Sequence, residues 1–318
     1  MKASVVIPAY NEEDYIGKCL ETLLSQSYGN FEVIIVDDGS KDRTVDIVSG
    51  MMKKHKNLHL LHQQHGGPGR GRNLGSEHSK GEILVFVDAD MEFEKDYISN
   101  LVKPVVEGKA IGTFHIIEGV ANKGNIWARC WGTKRVDIKP GETRPIFRAV
   151  LKKEFMAVGG FDPAKGTFDD QSLAGKLGKE AVGVEAICYH NNPTTLSETF
   201  HHMKWIGGSF VTNSEAVFRH TKRFLFFIIP SLAVFAILAV LLLRHNWRYL
   251  LAFIIASPVL LAMLLTLRRI VQSRDFRLIF ALPVFYLAEI VGFVAGMLKQ
   301  IPNAIVSKIK GQKISYKY

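Results

Sequence analysis

The chain has 318 residues and a formal net charge of +10, with 47% of its residues hydrophobic. That length holds one large domain plus a further region. Three cysteines without paired spacing argue against a disulfide framework or a zinc ribbon and fit a reducing compartment. Many of the basic residues flank long apolar runs, where anionic headgroups give them a partner, so the charge does not point to nucleic acid.

The β-branched run Ala3–Ile7, stopped by Pro8, predicts a first strand. Asn11–Ser25 has helical spacing, with Ile16, Leu20, Leu23 and Leu24 on one face. A strand follows at Phe31–Val36, closing on Asp37-Asp38-Gly39-Ser40. Helix Thr44–Lys53, strand Leu58–Leu61, a helix around Arg72–Ser79 and strand Ile83–Val87 complete the series. Strands alternating with helices predict an α/β fold with a mostly parallel, doubly wound sheet. Ligands of such sheets collect at the carboxyl ends of the strands, where Asp37-Asp38 and Asp88/Asp90 are expected to converge on one crevice.

The turn after the first strand, Pro8-Ala9-Tyr10-Asn11-Glu12-Glu13, contains no glycine, and Gly66–Asn73 fits neither a dinucleotide fingerprint nor a P-loop. A nicotinamide or P-loop ATP site is therefore not expected. Val85-Phe86-Val87-Asp88-Ala89-Asp90 drives a core strand straight into two carboxylates. Buried charge needs a partner. A hard cation such as Mg²⁺ or Mn²⁺ suits paired carboxylates, with Glu92 adding an oxygen or a water-mediated contact. His190, His201 and His202 read as acceptor-side or interfacial residues, and His55, His59, His62 and His65 as a solvated helix end and strand. No zinc site is expected from either set.

From Phe224 onward the runs 224–243, 247–267 and 278–298 approach the ~20 residues that span a bilayer. Arg219, Lys222 and Arg223, with Arg268, Arg269, Arg274 and Arg277, would both be cytoplasmic if the first two runs form a hairpin. The third run contains Glu289, Gly292 and Gly296, and a crossing there would put Lys308, Lys310, Lys313 and Lys317 outside, against that rule. Met1-Lys2 leads at once into the first strand, so no signal peptide is expected. The expected organisation is a catalytic domain over 1–223 with interfacial helices at its end, a transmembrane region over 224–298 and a basic tail over 299–318. The protein is expected in the cell membrane, multi-pass, with the catalytic domain cytoplasmic.

These residues resemble the family 2 glycosyltransferases, whose nucleotide-diphospho-sugar domain is called GT-A. The resemblance is carried by Val5–Glu13, Ile34–Ser40, Gly71-Arg72-Asn73-Leu74-Gly75, Asp88-Ala89-Asp90 and Ile146-Phe147-Arg148 followed by Val158–Asp162, in the family's order, over residues 3 to 207. It implies that Pro8, Ala9, Tyr10, Glu12 and Asp38 cradle the nucleoside, and that Arg72 lies by the base or diphosphate. Asp88 and Asp90, with Ala89 between them, would hold ribose and metal. Phe168-Asp169-Asp170-Gln171-Ser172-Leu173 looks like the family's Glu-Asp-x-x-Leu element, which makes Asp170 the base and Asp169 its neighbour. Read without the resemblance, the same pair caps a helix over Gln171–Leu177. Of the processive relatives' Gln-x-x-Arg-Trp motif only Lys204-Trp205 survives, which weakens a polymer-synthase reading, and Lys204 either reaches the diphosphate or snorkels.

The expected activity is an inverting, metal-dependent hexosyl transfer from a nucleotide-diphospho-sugar donor to a polyprenyl phosphate or lipid-linked glycan. A polysaccharide acceptor is the alternative, and a non-catalytic membrane scaffold or a nucleotidyltransferase would be a different class. A homo-oligomer is left open.

Overall fold

The computed structural model describes residues 1–132, 134–212, 263, 265–267, 270 and 276–310. The apolar run 224–243, most of 247–267 and the end of the basic tail lie outside the described residues. The chain forms two compact units, the first made of Met1–Gly124 and Trp131–Asn192, the second of Asn125–Cys130 and the described residues from Pro193 onward.

In the first unit, β1 (Ala3–Ala9), β2 (Phe31–Asp37), β3 (Leu58–His62) and β4 (Ile83–Phe86) pair in parallel, in the order β3-β2-β1-β4. β2 is buried at every position, as a parallel strand covered on both faces must be. One face of the sheet packs on α1 (Ile16–Leu24) and α2 (Thr44–Met52), whose Ile16, Cys19, Leu20, Leu23 and Val48 meet Val5, Ile7, Val33 and Ile35. The other face receives α3 (Pro68–His78). A Cβ on Gly75 would collide with the Val6 side chain and lie 3.1 Å from Val36, so glycine lets α3 settle directly on β1 and β2.

Helix α1 begins later than its periodicity predicts. Asn11 adopts a left-handed backbone, φ 55°, and receives the Lys41 amide on its side chain at 2.8 Å, while its own amide donates to Ser40 at 3.0 Å. The turn after β1 is therefore tied to the turn after β2 instead of winding into helix.

The sheet continues through β5 (Met91–Phe93), β6 (Gly112–Val120), β9 (Ala149–Leu151) and β10 (Ala181–His190), in the order β4-β9-β6-β10-β5. β6 and β10 are parallel, whereas β9 runs antiparallel to both β4 and β6. The short strands β7 (Lys134–Asp137) and β8 (Thr143–Arg144) extend β6 and β10. Helix α4 (Tyr97–Val106) joins the first core, and α6 (Lys152–Ala157) and α7 (Asp169–Leu177) close the second, around Phe86, Phe147, Phe155 and Phe161. The short helix α5 (Ile126–Trp131) lies between β6 and β7 in sequence.

In the second unit, α8 (Leu196–Thr212) packs along α9 (Ala281–Ile309). Gly207 meets the Phe293 backbone, Gly292 meets Phe200 and Met203, and Gly296 meets the Lys204 backbone, so small residues let the two helix backbones approach closely. Ala281–Ser307 of α9 is the one stretch of helix among the described residues long and apolar enough to cross a membrane.

Candidate active site

The carboxyl edge of the parallel strands gathers the acidic residues. Asp38 follows β2, and its carboxylate receives three donors from the loop leading to α3, Gln63 at 2.7 Å and the Gly66 and Gly67 amides at 2.8 Å each, while His65 Nδ1 lies 2.9 Å from Oδ2 and 3.3 Å from the Asp38 carbonyl oxygen. Gly67 has φ 83°, a conformation that presents its amide to the carboxylate and suits glycine. The Tyr10 ring stacks on His65, with centroids 4.2 Å apart. Tyr10 and Asp38 are thus brought together through His65, a residue whose sequence context suggested only a solvated strand end. Pro8 and Ala9 form the end of β1 beneath α3, where a Cβ on Gly71 would lie 3.1 Å from Pro8.

Asp88 sits at the end of β4 between two guanidinium groups. Arg72 donates to Oδ1 at 2.7 Å and Arg148 to Oδ2 at 3.1 Å. Burial would raise the Asp88 pKa, but Arg148 and Arg72 outweigh it and hold the carboxyl well below the usual range. Asp90 accepts from His190 Nε2 at 2.9 Å, and His190 Nδ1 donates to Glu118 at 3.0 Å. Both ring nitrogens face carboxylates, an arrangement that favours the imidazolium form of His190. Burial opposes that charge, yet Asp90 and Glu118 raise His190 to about 9. The chain itself supplies cations to the Asp88/Asp90 pair.

Glu12 completes the cluster. Burial, then Asp90 and Asp88, push its carboxyl well above the usual range, a sign of excess negative potential at this point. The donor set is all carboxylate oxygen, which suits a hard divalent cation. Asp90 and Glu12 are the donors held by no guanidinium among the described residues, whereas both Asp88 oxygens are taken by arginines. Ala89 is buried between the two aspartates. Glu92 lies on the opposite face of β5 from the buried Met91 and Phe93, with Asn191 donating to it at the long distance of 3.5 Å.

Helix α7 opens with Asp169-Asp170, and the two side chains part company. Asp169 is buried, and Arg72 Nη1 contacts both of its oxygens at 3.1 Å. Gly69 makes room for it, since a Cβ there would stand 2.5 Å from Asp169 Oδ2. Burial and the adjacent Asp170 raise Asp169 to about 6 against the pull of Arg72. Asp170 instead lines a cavity of about 400 Å³ with Phe114, Glu118, Arg135, Arg144 and Arg148. Lys204 belongs to α8 of the second unit, its ammonium 5.9 Å from the centre of the Phe200 ring.

Two residues at this edge carry no assigned role in the sequence, and a third is read there without its partner. Arg148 ends the Ile146-Phe147-Arg148 stretch, which helps carry the family resemblance without giving this charge a role of its own. Glu118 sits on β6 with nothing local to mark it. His190, read as acceptor-side or interfacial, is the partner of Asp90.

A parallel-bodied sheet with acidic pairs at the ends of β2 and β4 and at the start of α7 defines a nucleotide-sugar type of α/β domain. Residues 4–161 match the model of glycosyl transferase family 2, and this part of the chain belongs to that family. Glycosyltransferase GlyA of Streptococcus pneumoniae serotype 4 is 35% identical over 109 residues, 34% of this chain and 16% of its own length. The poly(ribitol-phosphate) beta-glucosyltransferase of Bacillus spizizenii is 41% identical over 104 residues, 31% of this chain and 16% of its own length. The similarity thus spans only 16% of the length of either relative. Among solved structures, the mannosyltransferase PcManGT from Pyrobaculum calidifontis, in complex with GDP-Man and Mn²⁺, has a TM-score of 0.56 at 19% identity, covering 92% of this chain and 87% of its own, a likeness of fold.

Proposed function

We propose that the chain is an inverting, metal-dependent glycosyltransferase that moves a sugar from a nucleotide-diphospho-sugar to a membrane-associated acceptor. The observation that carries this reading is the division of labour at the start of α7. Asp169 is locked to Arg72, while Asp170 walls the 400 Å³ cavity. A buried, paired carboxylate serves as an anchor, and one facing a cavity can take a proton.

In this reading Asp170 accepts the acceptor hydroxyl's proton as the oxygen attacks the anomeric carbon. The bond from that carbon to the diphosphate breaks, and the configuration inverts. Pro8, Ala9, Tyr10 and Glu12 lie where the nucleoside binds. Asp38 contributes by holding the loop that carries His65 against Tyr10. Asp90 and Glu12, the carboxylates no arginine holds among the described residues, are the residues that would hold Mg²⁺ or Mn²⁺. When bound, that ion supplies neutralisation of the charge that develops on the departing nucleoside diphosphate. Lys204 is a further candidate for the diphosphate.

A polyprenyl phosphate or lipid-linked glycan is the acceptor favoured by the apolar helix α9 and by the two apolar runs upstream of it in sequence. With a phosphate acceptor the attacking oxygen is already ionised, and Asp170 positions more than it deprotonates. The name of the Bacillus relative favours a second acceptor class, a phosphate-containing polymer.

The test is a panel of nucleotide sugars with Mn²⁺ or Mg²⁺, assayed for nucleoside diphosphate release with and without lipid phosphate and with a polyol-phosphate polymer. Release that needs a metal, rises with one acceptor and disappears in Asp90→Ala is expected. No release with any donor, or release indifferent to Asp90→Ala, removes the enzyme reading.

A further inference from the structure

Glu118 is a charged residue placed where packing alone gives no reason for one. It lies on β6 with a side chain only 5% exposed, opposite Cys188 on β10. Installing a carboxylate at such a position carries a desolvation cost, and an apolar side chain would serve the core at least as well. Three donors converge on it. His115 Nε2 reaches Oε2 at 2.9 Å, while His190 Nδ1 at 3.0 Å and Arg135 Nε at 2.9 Å share Oε1. Behind His115, the Tyr97 hydroxyl lies 3.0 Å from Nδ1. A continuous chain therefore runs Tyr97–His115–Glu118–His190–Asp90, buried as far as His190, from helix α4 to the strand end.

We propose that Glu118 is a positioning residue for the divalent-cation site: by holding His190 Nδ1 it fixes the imidazole that grips one oxygen of Asp90, and so sets which way the other oxygen faces. The inference rests on the metal-dependent reading above and deepens it. A histidine anchored at one nitrogen presents its second nitrogen in one direction only, so the orientation of Asp90 is inherited from β6 through Glu118. Without that anchor the ring can rotate about its side-chain torsions, and Asp90 follows it. Glutamine cannot substitute. Its carboxamide keeps an oxygen for His190 and Arg135 but carries no charge to hold these cations, and its N–H group meets His115 Nε2 only if that imidazole switches tautomer.

The experiment uses the full chain in detergent, freed of metal by chelation, and reads Mn²⁺ binding by electron paramagnetic resonance in the presence of UDP and, separately, of GDP. Glu118→Gln is expected to weaken Mn²⁺ binding by about 10- to 100-fold, the usual effect of removing a residue that orients a ligand. Glu118→Asp keeps the charge that the surrounding cations require but withdraws the oxygens by one methylene, and it is expected to weaken binding by a smaller factor. Cys188→Ala disturbs the same core, yet among the described residues its thiol hydrogen-bonds the Ile117 carbonyl alone. It is expected to lower Tm and leave Mn²⁺ affinity unchanged. Wild-type affinity in either folded Glu118 variant overturns the inference, as does a Cys188→Ala protein whose affinity falls with its Tm. If the wild-type protein binds no Mn²⁺ with either nucleotide, the metal-dependent reading and this inference fall together. If it binds and the Glu118 variants match it, the inference alone falls.

Discussion

Arg72 joins Asp88 to Asp169, donating to the first at 2.7 Å and to both oxygens of the second at 3.1 Å. One guanidinium thereby ties the end of β4 to the start of α7, and with it the two halves of the acidic site. The planar fork matters, because two separate carboxylates are held in different directions at once. Arg72→Lys keeps the charge but not the fork, and it is expected to detach one aspartate. Arg72→Met removes the cation altogether and should destabilise the protein by about 3–5 kcal/mol, since Asp169 is left buried without a cation at hand. Denaturant unfolding of the two variants checks both statements. Equal stability of Arg72→Met and wild type would show that the bridge carries no weight.

Asp170→Asn is expected to lower kcat for transfer to a hydroxyl acceptor by about 10²- to 10⁴-fold while leaving donor binding within a factor of a few. Asp169→Asn is expected to act differently. It releases Arg72 and should weaken stability together with activity, because its oxygens both bind that arginine. Measuring donor affinity, kcat and Tm on both variants separates a proton acceptor from an anchor. With a lipid phosphate acceptor, the loss in Asp170→Asn should be smaller.

His190 contributes a pH dependence to stability. Its ordinary pKa of 6.5 is raised to about 9 in the folded chain. The folded state therefore holds the proton more tightly than the unfolded state does. The stabilisation is fully present below pH 6.5 and is lost as pH rises through about 9. Its size is on the order of 3 kcal/mol, from 1.4 kcal/mol per pKa unit. Metal-free protein should accordingly lose Tm between pH 7 and pH 9.5, and His190→Gln should flatten that slope. An unchanged slope in the variant would assign the effect elsewhere.

Gly75→Ala sets two effects against each other. Alanine favours helix over glycine by roughly 0.5–1 kcal/mol. Against this, the new methyl meets the Val6 side chain and Val36 on the rigid sheet, and overpacking of that kind costs about 1–3 kcal/mol. The clash should win, with a net loss of about 1–2 kcal/mol. Because α3 carries Arg72, activity should fall more than stability alone explains. A variant as stable as wild type would mean that α3 has room to move.

The sequence by itself determined the parallel body of the sheet, the places where its strands end and the identity of the carboxylates at those ends. Those features are local: a β-branched run stopped by Pro8, an apolar run driven into Asp88, an acidic pair opening a helix. Strand β9, inserted antiparallel between β4 and β6, was not legible, because its three residues carry no periodicity. Nor were the partners of the acids. Arg72 stands 97 residues from Asp169, and His190 stands 100 residues from Asp90. Such pairings depend on the lateral order of strands and on the rotation of each side chain about them, and neither leaves a trace in local pattern. Only the tertiary structure decided that two arginines and an imidazolium share the charge at the end of β4, that Asp169 is an anchor while Asp170 faces a cavity, and that Glu118 stands behind His190.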